Sequence, residues 1–486
     1  NALVWTTFFI VGFTTFTTIV GLRRPLSYPK INLAGFVVMI VGLLLAAVPM
    51  LLDQATVLYT FYAPLEASWA FYVGLTLVVV GSWIEGVGFY FTLRDWRRDN
   101  PGVRSPFIAF GGILNAAMWQ IATLGLAVSM LTMLIPWSLG ITDYTDPQLS
   151  RTYFWFTGHP LVYFWLLPAY VSWYGMLPKQ AGGKLFSDSL ARLAFWMFLI
   201  VSVPVGFHHQ FVDPGVPQVW KWIHAVLTYG VALPSLLTAF TVIASLEYAA
   251  RQRGGTGLIG WVRALPWGDP SVAAQLLAGI LFMFGGIGGL TNASYNVNLV
   301  IHNTAWVPGH FHLTVATAVT LSFMGITYWL VPHLTGRKLW GRKVALFQAW
   351  SWFVGMVVFS NAMHMLGLLG APRRTPLGDA PYVPDEWNGH LLRVSIGGFI
   401  LLVSVLSYLL IMYKTVRQPA ADPADVPEVP IAEARRHPQL TPVWLDRFKP
   451  WLIAAGVLIV LAYGPQLVDQ ILNMNLNAPG TDFTPW

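Results

Sequence analysis

The stretch TAWVPGHFHLTVATAVTLSFMGITYWLV (304–331) contains no aspartate, glutamate, lysine or arginine. About 20 consecutive apolar residues are enough for a helix to cross the roughly 30 Å hydrocarbon core of a bilayer. The stretch is therefore predicted to be a transmembrane helix. Its two histidines, His310 and His312, interrupt the apolar character, and ionisable side chains inside a membrane mark functional sites by default.

The rest of the chain follows the same pattern. Of its 486 residues 56% are hydrophobic and 10% are charged, whereas soluble domains carry about 25% charged residues. Apolar runs of about 20 residues favour helices over barrel strands, because backbone groups in lipid must pair within the segment. We predict an all-α membrane bundle in which residues 1–486 form one transmembrane domain. Its twelve predicted spans lie at approximately 3–21, 31–52, 67–92, 107–136, 153–176, 190–211, 220–248, 270–292, 304–331, 344–370, 391–413 and 450–470.

The basic residues are distributed unevenly between the two sides of this bundle. All but five of the 28 lysines and arginines fall in loops on one side, which the positive-inside rule makes cytoplasmic. The polar segment 414–449 lies on that side and is predicted to be a connector before the last helix. The net charge of +7 is therefore interpreted as a consequence of the membrane topology. The five exceptions are Arg151, Lys221, Arg373, Arg374 and Arg393.

Histidines are concentrated at one membrane depth. The chain has no cysteine, which excludes thiolate ligands, and clustered imidazoles with few buried acids suit haem iron or copper. A single histidine in such a span is more often a packing residue, but a group of this size predicts a redox-metal site. The histidines in the outer halves of spans or in adjoining outer loops are His159, His208, His209, His224, His302, His310 and His312.

Their spacings refine this prediction. His310 and His312 are two residues apart, so on a helix their rings project about 200° apart and can serve two different irons. His159 and Tyr163 are four apart and share a helix face. His208 and His209 are adjacent, downstream of Pro204, which removes a helical hydrogen bond.

Five motifs resemble subunit I of the haem–copper oxygen reductases, and specifically the B-family (ba-type) cytochrome c oxidases. The motifs are ATVLYTFY (55–62), TGHPLVYFWLLPAY (157–170), LPKQAGGKL (177–185), PVGFHHQFVDPG (204–215) and HNTAWVPGHFHL (302–313). The resemblance implies a terminal respiratory oxidase that reduces dioxygen to water, with proton uptake and proton pumping, in a prokaryotic inner membrane.

The resemblance also implies the cofactors and their ligands. His159, His208 and His209 would hold copper, with Tyr163 cross-linked to His159 and supplying a hydrogen atom. His310 would bind a high-spin a-type haem, whose iron faces the copper, and His312 a low-spin b-type haem. Residues expected at the haem periphery, mainly the propionates, are Arg373, Arg374, Tyr59, Asn303 and His302.

Protons and electrons need further residues and partners. The family's proton path from the cytoplasm would run through Ser187, Tyr170, Tyr174, Ser235 and Thr238 to Tyr163, although each hydroxyl taken singly could simply bond a helix carbonyl. Electrons would come from a subunit II with a dinuclear copper site, fed by a soluble cytochrome c or cupredoxin. A small single-helix subunit is a possible further partner.

Three positions depart from the family pattern. The second low-spin haem histidine would precede Asn1, so the natural protein is expected to have thirteen helices. Asn298 stands where relatives carry an acid near a propionate. Glu85, an acid inside a predicted span, is expected to hydrogen-bond within the bundle, with proton uptake as the less favoured alternative.

Two other functions remain open on the sequence. A nitric oxide reductase of the same superfamily would carry non-haem iron in place of copper and typically lacks the tyrosine, so Tyr163 argues against it. A twelve-span secondary transporter would show two similar halves, and no such repeat is visible.

Overall fold

The computed structural model describes residues 2–58, 60–375, 381–476 and 478–479. The α-helices are α1 Ala2–Leu22, α2 Pro29–Leu51, α3 Trp69–Asp99, α4 Phe107–Ala122, α5 Leu124–Ser129, α6 Ile135–Ser138, α7 Pro147–Gly175, α8 Leu177–Gln180, α9 Asp188–Ser202, α10 Gln218–Gly230, α11 Ala232–Gln252, α12 Pro270–Ala293, α13 Tyr295–Ile301, α14 Trp306–Leu313, α15 Thr320–Thr335, α16 Arg342–Leu368, α17 Asp385–Val416 and α18 Phe448–Leu472. Short π-helices occupy Met130–Leu134 and Thr314–Val319, and 3₁₀ helices occupy Gly206–Gln210, Gly260–Ala264, Pro423–Asp425, Pro438–Leu440 and Val443–Asp446. Two-residue strands, β1 Tyr144–Thr145 and β2 Ala478–Pro479, pair antiparallel.

The predicted all-helical membrane class is confirmed. Helix is present at each of the twelve predicted spans. Within the described ranges, nine helical segments are by themselves long and apolar enough to cross a membrane. The helices at the other three predicted spans are α1, α7 and α9.

Helix ends follow local chemistry. Asp269 precedes α12 and accepts a hydrogen bond from the Val272 amide at 3.0 Å, and Pro270 occupies the first turn, where its missing N–H is not needed. Gly336 ends α15 with φ +63°, a left-handed conformation that costs glycine little.

Two predicted spans are not single regular helices. The span predicted at 190–211 is α-helical only to Ser202 and continues as the 3₁₀ turn Gly206–Gln210. Pro204 explains the break, since it cannot donate to the preceding turn and disfavours helical geometry in Val203. The span at 304–331 changes from α to the π-turn Thr314–Val319 and back to α.

The described chain divides into two compact units, and the prediction of a single domain stays a prediction. Unit 1 contains residues 1–168, 192–234 and 438–486, and unit 2 contains 169–191 and 235–437. In unit 1, helices α2 and α3 approach closely: a Cβ on Gly74 would lie 2.4 Å from the Ala46 amide nitrogen, and one on Gly42 would lie 2.6 Å from the Gly74 carbonyl oxygen. Small residues at such crossings let membrane helices pack backbone to backbone.

A buried ion pair also stabilises unit 1. Arg192 in α9 is fully buried, and its Nη1 lies 2.9 Å from Oδ1 of Asp446, near the end of the connector. Arg192 also donates to the Ser105 carbonyl, while Ser105 donates to Asp446. This network attaches the start of α18 to the adjacent ends of α4 and α9.

In unit 2 the connector pairs with the loop before α9. Leu185 and Ala434 form a parallel bridge, and Lys184 lies 2.9 Å from Glu433. The hydrogen bond from Lys184 holds the pKa of Glu433 below its ordinary value. Residues 414–449 are thus predominantly irregular, but part of the segment is hydrogen-bonded to the bundle.

Candidate metal centre and haem-ligand segment

Three histidines of unit 1 converge at one point. His159 lies on α7, and His208 and His209 lie on the 3₁₀ turn Gly206–Gln210. One ring nitrogen from each lies within 4.8 Å of the others. Nδ1 of His159 is 3.2 Å from Nε2 of His209, so these two nitrogens face each other. The three form a candidate metal centre.

The turn is held against α7 by close packing. Trp155 stacks on the His209 ring with centroids 3.7 Å apart and planes 4° from parallel. A Cβ on Gly206 would lie 2.3 Å from the Trp155 carbonyl oxygen and 2.3 Å from the Tyr463 hydroxyl oxygen. The Gly206 amide donates to that hydroxyl at 2.8 Å. Glycine is therefore required for the turn to come this close to α7 and α18.

Tyr163 completes the centre. Its hydroxyl oxygen lies 3.1 Å from Nε2 of His159. The two nitrogens of His159 are thus divided, with Nδ1 toward the other histidines and Nε2 toward the phenol. Three imidazole nitrogens at this separation, without thiolate or carboxylate, match the donor preference of copper.

The haem-ligand candidates lie in unit 2. His310 and His312 occupy α14, and Nδ1 of His312 lies 2.6 Å from the Pro308 carbonyl oxygen. That hydrogen bond fixes the proton on Nδ1 and leaves Nε2 as a possible iron ligand.

Glycines line the face of α12 that meets His310. A Cβ on Gly288 would lie 3.1 Å from Nδ1 of His310, and one on Gly289 would lie 3.3 Å from its Cε1. Gly288 and Gly289, in GGIGG (285–289), therefore let this ring approach the α12 backbone closely. Both histidines fit the role of haem ligand.

The π-turn that follows these histidines is anchored by side chains. Thr317 donates to the His312 carbonyl at 2.7 Å, and Trp352 donates to the Ala316 carbonyl at 3.0 Å. Ser360 donates to the Gly309 carbonyl at 2.6 Å. Since π-helical turns are frequent at functional sites, this one is consistent with the proposed ligand role of α14. Thr317, Trp352 and Ser360 were not predicted.

The candidate haem-periphery residues form two pairs. Arg373 donates to the Asn303 side-chain oxygen at 3.0 Å, and Nδ1 of His302 lies 2.9 Å from the Asn298 side-chain oxygen. Arg374, the next residue after Arg373, has a backbone φ of +64°. Tyr59 lies outside the described residues.

The structure connects part of the predicted proton path. Tyr174 donates to the Thr238 hydroxyl at 2.8 Å, and Tyr170 and Tyr174 are one helical turn apart on α7. Ser235 lies on α11 three positions before Thr238. Ser187 accepts from the Leu190 amide at 3.2 Å at the start of α9.

Glu85 is buried in unit 1. The Asn32 side chain donates to its carboxylate at 2.6 Å and to its backbone carbonyl at 3.1 Å. This is a hydrogen bond within the bundle, the favoured expectation from the sequence.

The all-helical membrane bundle and the three-imidazole cluster make this chain a candidate membrane metalloprotein. The family described as Cytochrome C and Quinol oxidase polypeptide I matches residues 1–400. Cytochrome c oxidase subunit 1 of Thermus thermophilus is 47% identical over 444 residues, which is 90% of this chain and 78% of that protein. Cytochrome c oxidase polypeptide 1 of Halobacterium salinarum is 27% identical over 82% of this chain and 66% of its own length.

A solved structure agrees with these relatives. A cryo-EM structure of a heme-copper terminal oxidase dimer superposes with a TM-score of 0.94 at 41% identity, over 99% of this chain and 86% of that one. The chain belongs to the haem–copper oxidase subunit I family.

Proposed function

We infer that the chain is the catalytic subunit of a terminal oxidase that reduces dioxygen to water. The observation that carries this conclusion is the cluster of His159, His208 and His209 with the Tyr163 hydroxyl 3.1 Å from His159. Relatives named cytochrome c oxidase subunit 1 support it along the chain. Because the family works with a subunit II, the active enzyme is a complex.

The histidines divide into copper and haem ligands. We propose that His159 through Nδ1, with His208 and His209, holds copper, while His310 binds a high-spin haem and His312 a low-spin haem. Bound haem iron and copper supply the redox chemistry. The chain contributes neutral imidazoles in fixed orientations and the phenol of Tyr163, which can release a proton beside His159.

Tyr163 and His159 are proposed to be covalently joined. Linking Nε2 of His159 to a ring carbon of Tyr163 removes one hydrogen atom from each, and dioxygen, the enzyme's own substrate, accepts both. Their 3.1 Å approach across one helical turn supports this assignment. A tryptic peptide mass lower by two hydrogen atoms would demonstrate the link; an unmodified mass in active enzyme would reject it.

The finer assignments follow the same resemblance. We propose a B-family enzyme with a b-type low-spin and an a-type high-spin haem, and the Thermus relative supports this at 47% identity. Pyridine haemochrome spectra of the extracted haems test it directly. Arg373, Arg374, Asn303 and Tyr59 are proposed propionate contacts, and His302, bonded to Asn298, is proposed to lie at the same haem periphery.

Proton uptake is proposed to use Ser187, Tyr170, Tyr174, Ser235, Thr238 and finally Tyr163, coupled to pumping across a prokaryotic inner membrane. The Tyr174–Thr238 hydrogen bond supports the middle of this path. The proposed donor is a cytochrome c or cupredoxin acting through a dinuclear copper site on subunit II, and a small single-helix subunit is a further proposed partner.

Metal analysis of the purified complex tests the proposed cofactors. After correction for copper on subunit II, one copper and two irons per chain are expected. Iron without the corresponding copper would favour a nitric oxide reductase, and a metal-free chain would reject the oxidase.

A further inference from the structure

His224, one of the clustered outer histidines, has a defined protonation pattern. It lies on α10 and is fully buried. Its Nδ1 is 3.2 Å from the Phe207 backbone nitrogen and its Nε2 is 3.0 Å from the Ala462 carbonyl oxygen. An amide N–H only donates and a carbonyl only accepts. Nδ1 is therefore the acceptor and Nε2 carries the proton, so both nitrogens of a neutral ring are engaged.

Thr228 lies one turn further along α10 and has two partners. Its hydroxyl donates to the His224 carbonyl at 2.5 Å, and the same oxygen lies 2.8 Å from Nδ1 of His208. Because the hydroxyl proton is directed to the carbonyl, the oxygen is left to accept a hydrogen bond from Nδ1–H of His208. In that tautomer the proton is on Nδ1 and the lone pair of the His208 ring is on Nε2.

These contacts fix two successive residues of the turn that bears the histidine pair. His224 orients the backbone of Phe207, and Thr228 orients the side chain of His208. The His224 ring also packs on Phe207 and Tyr463, with centroids 4.3 Å and 4.9 Å apart. Short 3₁₀ turns have poorer internal hydrogen bonds than α-helices, so external bonds matter more here.

We propose that His224 and Thr228 are positioning residues for the copper centre. Together they hold His208 in the Nδ1–H tautomer with Nε2 directed at the metal, and they do so without contacting the metal themselves. Partners of this kind set ligand orientation and basicity, and their loss typically costs about 10- to 100-fold in metal affinity. The inference rests on the copper site proposed above.

The test compares Thr228→Val, which removes the acceptor, with Thr228→Ser, which keeps it. Thr76→Val is the matched control, since Thr76 likewise donates to a helix carbonyl, Tyr72 at 2.8 Å. The purified complex is dialysed against a copper chelator, and copper per chain is followed together with the haem spectrum. The C–O stretch of carbon monoxide bound to the cuprous centre reports ligand geometry independently of turnover.

Thr228→Val is expected to bind copper about 10- to 100-fold more weakly, and therefore to lose it to the chelator faster, and to shift the C–O stretch. Thr228→Ser and Thr76→Val are expected to match the wild type. Equal copper retention in Thr228→Val and wild type, or equal loss in Thr228→Val and Thr76→Val, would overturn the inference. If Thr228→Val fails to assemble, His224→Gln replaces it and must show faster loss with intact haems. Absence of copper from the wild type would instead reject the proposed function.

Discussion

The Tyr163 hydroxyl oxygen lies 3.1 Å from Nε2 of His159, which is four residues earlier on α7. Nδ1 of the same ring lies 3.2 Å from Nε2 of His209. One imidazole thus contacts both the phenol and the proposed metal position. A substitution of Tyr163 or His159 should therefore change the chemistry of the centre and leave the chain folded.

Tyr163→Phe should lower dioxygen consumption by roughly 100-fold or more, since a positioned proton donor contributes on that scale. Copper and both haems should be retained, because the histidines are unchanged. Steady-state oxygen uptake with metal analysis measures both effects. Tyr413→Phe, at an exposed tyrosine of α17, is the control, and normal turnover in Tyr163→Phe would contradict the assignment.

His312→Ala should remove the low-spin haem and leave copper and the high-spin haem. His310→Ala should remove the high-spin haem and leave the low-spin haem. The reason is that each histidine is proposed to be the ligand of a different iron. Reduced-minus-oxidised spectra and iron content distinguish them. His390→Ala, at a half-buried outer histidine, should retain both haems, and a variant at 310 or 312 that did so would remove that residue from the ligand set.

Asp446→Asn should destabilise the protein by about 3–5 kcal/mol, because it leaves Arg192 fully buried opposite a neutral group. Thermal unfolding in detergent, followed by near-UV circular dichroism, measures the loss. Glu433→Gln removes the acid of the exposed pair with Lys184 and should change the unfolding temperature little. Equal effects of the two substitutions would mean that Arg192 does not depend on its counterion.

Glu85→Gln should keep turnover and pumping, because a glutamine oxygen can still accept the hydrogen bond from Asn32. Glu85→Leu removes the side-chain acceptor and should cost about 1–3 kcal/mol of stability, because one N–H of the Asn32 amide loses its partner. Proton release by vesicle-reconstituted enzyme and thermal unfolding check the two parts. Lost pumping in Glu85→Gln with intact stability would instead establish a proton-uptake role.

Local spacing predicted much of the site. The four-residue interval places His159 and Tyr163 in contact, and the two-residue interval places His310 and His312 on different sides of α14. The all-helical class followed from the apolar runs, since lipid permits few other structures.

Contacts between distant segments could not be predicted from spacing. Arg192 and Asp446 are 254 positions apart, and Arg192 was assigned simply to a cytoplasmic loop. The meeting of His159 with His208 and His209 came from the family resemblance, because periodicity describes one helix at a time. Pro204 indicated a weakened helix near His208, but not the 3₁₀ turn that replaces it.

The π-turn Thr314–Val319 sets the rotational register of the proposed haem ligands, His310 and His312. Each residue advances a helix by about 100°, so deleting one residue from this turn would swing His310 and His312 by that angle about the axis of α15. The hydrogen bonds from Thr317 to the His312 carbonyl and from Trp352 to the Ala316 carbonyl would then be broken. A straight transmembrane helix that carried the His-Phe-His sequence would therefore have both histidines, but their rings would project in other directions. Designs of membrane haem proteins need to copy the length of the π-turn as well.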